Sequence, residues 1–143
     1  MRILLFLIWG VLFAADDDLA QLQAANPGVH FHAITAVVTA YTPCAACCGA
    51  GAKGITSTGV DTRTTPHGIA GPTCMVGSLV HIPGYLVKSN PGKFWKVDDT
   101  GGALNTDWNK RQIYHFDVRF VNYEWAKKWG RREITVYVAD PAE

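Results

Sequence analysis

The stretch from Val97 to Phe120 limits most what this chain can fold into. An apolar, strand-like lead of Phe94, Trp95 and Val97 delivers Asp98 and Asp99 to a turn at Gly101-Gly102. Glycines at such a turn allow positive φ and a close approach of backbone to whatever lies opposite. A polar insert follows, and then strict alternation: Phe116, Val118 and Phe120 on one side, Asp117 and Arg119 on the other. A period of two marks a strand with one apolar face. Asp117 therefore projects from the polar face of a strand, while Asp99 stands beside a turn. Two carboxylates so placed can share a cleft, and the chemistry is expected there.

The remainder repeats the theme of short strands and turns. His30-Phe31-His32 leads through Val37 and Val38 to Tyr41, where Thr and Val favour extended backbone. His30 and His32 share a strand face and read as exposed polar positions, with a metal pair as the alternative. Pro43 to Pro72 lacks periodicity and is rich in Gly, Thr, Ala and Cys. A loop of that length in a small domain is usually functional or cross-linked. Two short strands around Pro83-Gly84 are expected between Val76 and Val87. Asn122 is placed to cap a short helix, with Glu124 in its first turn, Lys127 and Lys128 near its end and Gly130 just past it. Trp125 and Trp129 lie four apart on that helix and read as core anchors, with a sugar platform as the alternative. Ile134, Val136 and Val138 alternate with Thr135 and Tyr137 as a closing strand. Many short strands with one small C-terminal helix predict a mainly-β barrel.

At the N-terminus, Met1-Arg2 precedes an apolar run from Ile3 to Ala15, and Asp16-Asp17-Asp18 follows. One positive charge, a short apolar run and small residues at its end fit a secretory signal peptide. The run falls short of the ~20 residues of a membrane span, although a short anchor is the alternative. The expected division is a signal peptide over 1–15, a leader over 16–35 and a domain over 36–139; residues 16–29 read as a leader or a short helix closed by a turn at Asn26-Pro27-Gly28. Loss of residues 1–15 removes one Arg and brings the 13 basic side chains level with the 12 acidic ones. That balance argues against a nucleic-acid partner, and the remaining length suits one compact domain. A secreted or periplasmic monomer, free of the membrane after cleavage, is the expectation.

Four cysteines, Cys44, Cys47, Cys48 and Cys74, imply disulfides in an exported chain. A bond between the neighbours Cys47 and Cys48 strains the geometry, so one of Cys44, Cys47 and Cys48 is expected to reach Cys74. A zinc site using Cys44 and Cys47 with Cys48, Cys74 or His67 is the alternative. No second closely spaced ligand pair supports it, and neither a metal nor a cofactor is expected.

Several motifs occur together and in order: Thr39-Ala40-Tyr41-Thr42-Pro43, Gly54-Ile55-Thr56-Ser57-Thr58-Gly59, His81-Ile82-Pro83-Gly84-Tyr85, Asp99-Thr100-Gly101-Gly102-Ala103-Leu104, Phe116-Asp117-Val118-Arg119-Phe120 and Trp129-Gly130-Arg131-Arg132. In this set the chain resembles the three-aspartate domain of bacterial secreted wall-remodelling proteins, found also within membrane-bound lytic transglycosylase A. The likeness spans about Val37 to Val138. It implies a six-stranded double-psi β-barrel, the fold of lytic transglycosylase A, barwin and expansin-type domains, to which the cysteines add the expectation of a long disulfide-tied loop. It also implies peptidoglycan or a related polysaccharide as partner. By the resemblance, Asp117 is the catalytic acid/base and Asp99 its supporting carboxylate, while Thr39, Tyr41, Thr42, Thr56, Gly101 and Gly102 contact substrate. From the residues alone, Tyr41 reads equally as a core aromatic whose hydroxyl finds a partner, and the alternative for the carboxylates is that Asp99 accepts turn amides and Asp117 faces solvent. The sequence departs from the family at three places. Ala70-Gly71-Pro72 lacks the family's first aspartate, and Met75-Val76-Gly77 replaces Pro-Leu-Gly. The link between Asp99 and Asp117 is longer, with Asn105, Asp107, Trp108, Asn109, Lys110 and Arg111 added.

A polysaccharide acetal needs its leaving oxygen protonated while positive charge develops at the anomeric carbon. A carboxyl group whose proton affinity is raised by burial does the first, and an ionised neighbour supports the second. Two rival functions fit some of the same residues. A non-catalytic, expansin-like module would bind and loosen glycan without cutting it. An aspartic protease would use Asp99-Thr100-Gly101, but it needs two such triplets and this chain has one.

Overall fold

The computed structural model describes residues 18–44 and 53–142. Among them six strands form one sheet: β1 (Phe31–Tyr41), β2 (Ile69–Ala70), β3 (Leu79–His81), β4 (Trp95–Asp99), β5 (Tyr114–Arg119) and β6 (Arg132–Ala139). They pair in the order β1-β5-β2-β4-β3-β6, and β6 returns to β1, so the sheet closes into a barrel. β1 with β5 and β2 with β4 run parallel. The other neighbours are antiparallel. The mainly-β expectation holds.

β1 is long because it serves two partners. It pairs with β6 from Phe31 to Val38 and with β5 from Ala36 to Tyr41. Ala36, Val37 and Val38, which have both neighbours, are buried consecutively, so alternation fails there. Val38, Ile69, Val80, Val97, Phe116, Val118 and Val136 are fully buried in the core. Phe116 and Val118 point inward as expected, which turns His115, Asp117 and Arg119 to the other face of β5.

The region expected to hold two strands around Pro83-Gly84 holds only β3. The chain then turns through Gly84 and Leu86, both at positive φ. Tyr85 is carried into the core, where its hydroxyl accepts from the Gly68 amide and donates to the Arg119 carbonyl.

Instead of one helix, the described residues contain three α-helices and a 3-10 turn at Thr73–Met75. Residues 18–25 are helical and bury Leu22 completely. Asn26 secures their end by donating to the Leu22 carbonyl at 2.9 Å and the Gly92 carbonyl at 2.7 Å. Gly92 must be glycine here, because a Cβ would lie 2.7 Å from Ala25 Cβ and its φ is +67°. Of the two readings of this segment, the short helix closed by a turn is the one found, and β1 begins at Phe31, within the stretch assigned to the leader over 16–35. The apolar run before it lies outside the described residues.

The second helix, α1 (Gly102–Arg111), is formed by the polar insert between the two aspartates. Leu104 packs with Tyr41 and Ala70, and the Trp108 ring stacks on Tyr114 with centroids 4.6 Å apart. The third, α2 (Tyr123–Trp129), matches expectation, with Asn122 accepting from the Glu124 amide and Gly130 closing it. Its tryptophans divide. Trp129 is buried, donates to the Val38 carbonyl at 3.2 Å and lies under the Arg132 guanidinium. Trp125 is 63% exposed, so it is not the core anchor expected.

Candidate active site

The register of the sheet sets the two carboxylates near each other. Asp117 pairs with Thr39 on β1 and with Ala70 on β2. Ala70 pairs in turn with Asp99 on β4. One short strand therefore separates them, which places their backbones about 10 Å apart at ordinary strand spacing. Both line an open cleft of about 700 Å³, together with Thr39, Tyr41, Lys53, Ile55, Ala70, His115 and the Thr100–Leu104 segment.

Asp117 is the group best suited to carry a proton. Burial pushes its carboxyl up to about 6, the Thr39 hydrogen bond opposes this, and the Asp99 charge adds to it. Thr39 Oγ1 lies 3.2 Å from Asp117 Oδ1 and 2.9 Å from His115 Nε2. On the far side of that ring, His115 Nδ1 is 2.7 Å from Asp107 Oδ2 on α1. Asp107 is held below the ordinary carboxylate range, chiefly by the hydrogen bond from His115.

Asp99 is a carboxylate with three donors. The amides of Ser57 and Thr100 donate to Oδ1 at 2.9 Å each, and the Tyr41 hydroxyl donates to Oδ2 at 3.1 Å. Its neighbour Asp98 is not available to the cleft. It takes a bidentate pair from Arg119, with both contacts at 2.8 Å, and both residues are buried. Burial works against the Arg119 charge, but Asp98 and Tyr41 outweigh it and hold the guanidinium firmly protonated. Arg119 Nη1 also donates to the Tyr41 hydroxyl at 3.2 Å. Tyr41 thus links the buried ion pair to Asp99, and burial, its largest influence, keeps its hydroxyl protonated.

The other expected contacts sort unevenly. Thr39, Tyr41, Gly101 and Gly102 line the cleft. Neither glycine has positive φ: Gly101 is the extended cap of α1 and Gly102 its first residue. Thr42 is buried, with its hydroxyl 2.8 Å from Cys44 Sγ, and is not among the cleft-lining residues. Thr56 is buried in the turn it forms with Thr58 and Val60, beside a small pocket shared with Tyr41 and Asp99. No disulfide joins Cys44 to Cys74, both of which are exposed; Cys47 and Cys48 lie outside the described residues. Among the described residues no three His, Cys, Asp or Glu groups cluster as a metal site. His32 instead pairs with Asp140 at 2.6 Å.

The sequence places Arg119 on the polar face with Asp117 and Asp107 in the added link, but assigns no role to either or to His115. The signal for His115 was present, since it precedes Asp117 by two on an alternating strand and so shares its face.

The raised proton affinity of Asp117 has a cost to stability. Relative to an unfolded aspartate, its contribution is fully present below about pH 4 and is lost as pH rises through about 6. Asp117→Asn escapes that loss. Chemical denaturation is expected to find the variant more stable than wild type by about 2 kcal/mol at pH 7.5, with the difference vanishing near pH 4.

Fold and cleft together define a mainly-β barrel domain with a two-carboxylate site. No protein-family model matches the chain, and no curated protein matches it.

Proposed function

We propose that this is a secreted protein that cleaves a bacterial cell-wall glycan in the manner of a lytic transglycosylase. One observation carries the reading: a partly buried Asp117 with raised proton affinity stands in an open cleft, one strand away from a second carboxylate. The order of motifs shared with three-aspartate domains supports it. The closed sheet with parallel pairs β1–β5 and β2–β4 supports the finer fold, a double-psi β-barrel.

In this reading protonated Asp117 donates to the glycosidic oxygen as the bond from the anomeric carbon breaks. The 6-hydroxyl of the same sugar attacks that carbon, and the Asp117 carboxylate takes the hydroxyl proton. The proton count at Asp117 is restored, no water is consumed, and a 1,6-anhydro end is left. Asp99, held by three donors, supports the positive charge that develops between these steps.

A second reading, a binding and loosening module, is favoured by Gly71, which falls where the family carries its first aspartate. A Cβ there would lie 3.0 Å from the Phe116 ring and 3.1 Å from Val97, so a side chain at this position requires those two core residues to shift by a few tenths of an ångström. Mass analysis of soluble products from purified peptidoglycan at mildly acidic pH separates the two. Cleavage yields anhydro-ended fragments, one water lighter than hydrolysis products. Binding to the insoluble wall without fragments overturns the catalytic reading.

A further inference from the structure

We propose that Asp107, His115 and Thr39 form a chain that holds a proton for Asp117, and that helix α1 serves to anchor its far end. The proposal rests on the acid–base reading of Asp117 and adds to it two positioning residues, Asp107 and His115.

The geometry is continuous. Asp107 Oδ2 lies 2.7 Å from His115 Nδ1, His115 Nε2 lies 2.9 Å from Thr39 Oγ1, and Thr39 Oγ1 lies 3.2 Å from Asp117 Oδ1. His115 is only 8% exposed. The reversal after α1 makes this alignment: Gln112 takes the left-handed conformation and the Ile113 amide donates back to the Asp107 carbonyl. Trp108 stacked on Tyr114 fixes the helix against β5, and Arg111 steadies Asp107 at 3.1 Å.

A hydroxyl has a single hydrogen, and this decides how the chain behaves. With Asp107 accepting from Nδ1, neutral His115 presents Nε2 as an acceptor. Thr39 then donates to Nε2 and accepts from protonated Asp117. Alternatively, His115 is protonated, Nε2 donates to Thr39, and Thr39 donates to the Asp117 carboxylate. These two arrangements contain the same number of protons. They interconvert when Asp117 passes its proton to Thr39 Oγ1 while the Thr39 hydrogen passes to Nε2, leaving the threonine unchanged. Removing that last proton leaves two acceptors facing one hydrogen, so one buried group goes without a partner. The chain therefore retains its proton to a higher pH than Asp117 would alone, and the shared proton returns to Asp117 by the same two hops.

The charged groups around the chain act on it from several elements. Asp99 on β4 raises the proton affinity of Asp117. Lys53 lines the same cleft, and Arg111 and Arg131 lower that of Asp107. None of these reaches Thr39 Oγ1 with a hydrogen bond, so they set the level of the titration and not its coupling.

The experiment pairs a pH–rate profile with NMR titration of the full chain. Purified peptidoglycan is the substrate, and labelled imidazole nitrogens of His115 and the carboxyl carbon of Asp117 are the probes. In wild type the two probes should share an inflection, which Thr39→Val should split into separate ones. His115→Phe should move the descending limb of the rate profile about one unit toward acid, the size of a lost hydrogen bond to a charged group. A histidine acting only as a nearby positive charge would move it the other way on removal, and a structural one would leave it in place. His115→Gln, which keeps polar contacts, serves if the phenylalanine variant does not fold. A limb that stays or moves toward base, or a shared inflection that survives Thr39→Val, overturns the chain and leaves the role of Asp117 standing. If wild type releases no fragments yet the shared inflection is present and Thr39-dependent, the proton-holding chain stands and the glycan-cleaving reading falls.

Discussion

Asp117→Asn is expected to stop release of anhydro-ended fragments from peptidoglycan while leaving glycan binding in place. An amide neither donates a proton to the leaving oxygen nor retrieves one from the attacking hydroxyl. General acid–base catalysis contributes about 10²–10⁴-fold, and the contribution arises in the transition state, so the loss should fall in turnover and not in binding. Asparagine keeps the shape, and Thr39 can still donate to its carbonyl oxygen. Asp99→Asn should reduce turnover less, because a supporting carboxylate tunes charge without moving the proton. Wild-type activity should decline as pH rises past the elevated pKa of Asp117, since the donor form is then lost. Cleavage by Asp117→Asn at the wild-type rate would refute the assignment, while loss of wall binding in both variants, with no fragments from wild type, would favour the loosening module.

Arg119→Met is expected to be the most destabilising single change near the cleft. Arg119 is fully buried, and its removal leaves the Asp98 carboxylate, itself 6% exposed, without its bidentate partner. Breaking a buried pair from one side typically costs about 3–5 kcal/mol, because an uncompensated charge remains in a poorly hydrated place. The Tyr41 hydroxyl and the Thr65 and His67 carbonyls lose a donor as well. Denaturant midpoints at constant slope measure the loss. The double variant Asp98→Asn with Arg119→Met should recover a large part of it, since no buried charge is left unpaired. Equal stability of the single and double variants would mean that the guanidinium acts through packing alone. Gly68 belongs to the same arrangement: a Cβ there would lie 2.4 Å from Arg119 Nη2, so the ion pair requires bare backbone beside it.

These two residues show how differently parts of the site could be read in advance. Asp117 and Arg119 have the same sequence signature, polar positions alternating with Phe116, Val118 and Phe120. One lines the cleft and the other is sealed beneath the loop that carries Thr65 and His67. Alternation states which face of a strand a side chain occupies, but not what covers that face. Trp125 and Trp129 make the same point on α2, where a spacing of four puts both on one side and only Trp129 meets the barrel.

By itself the sequence determined what depends on near neighbours in the chain. Period-two apolar residues made β5 and β6, Asn122 and Gly130 bounded α2, and an apolar lead carried Asp99 to the cleft rim. Only the tertiary structure decided what depends on distant partners. Ala70, on a strand of two residues, sets the distance between Asp99 and Asp117 by pairing with both. Asp98 is committed to Arg119, 21 residues away, and Thr39 joins His115 to Asp117 across 76 and 78 residues. The polar insert, for which the sequence offers no apolar period, is helical as α1, with Leu104 buried beside Tyr41 and Ala70 and Trp108 stacked on Tyr114. Contacts of that range follow from closure of the barrel, which no local pattern of residues encodes.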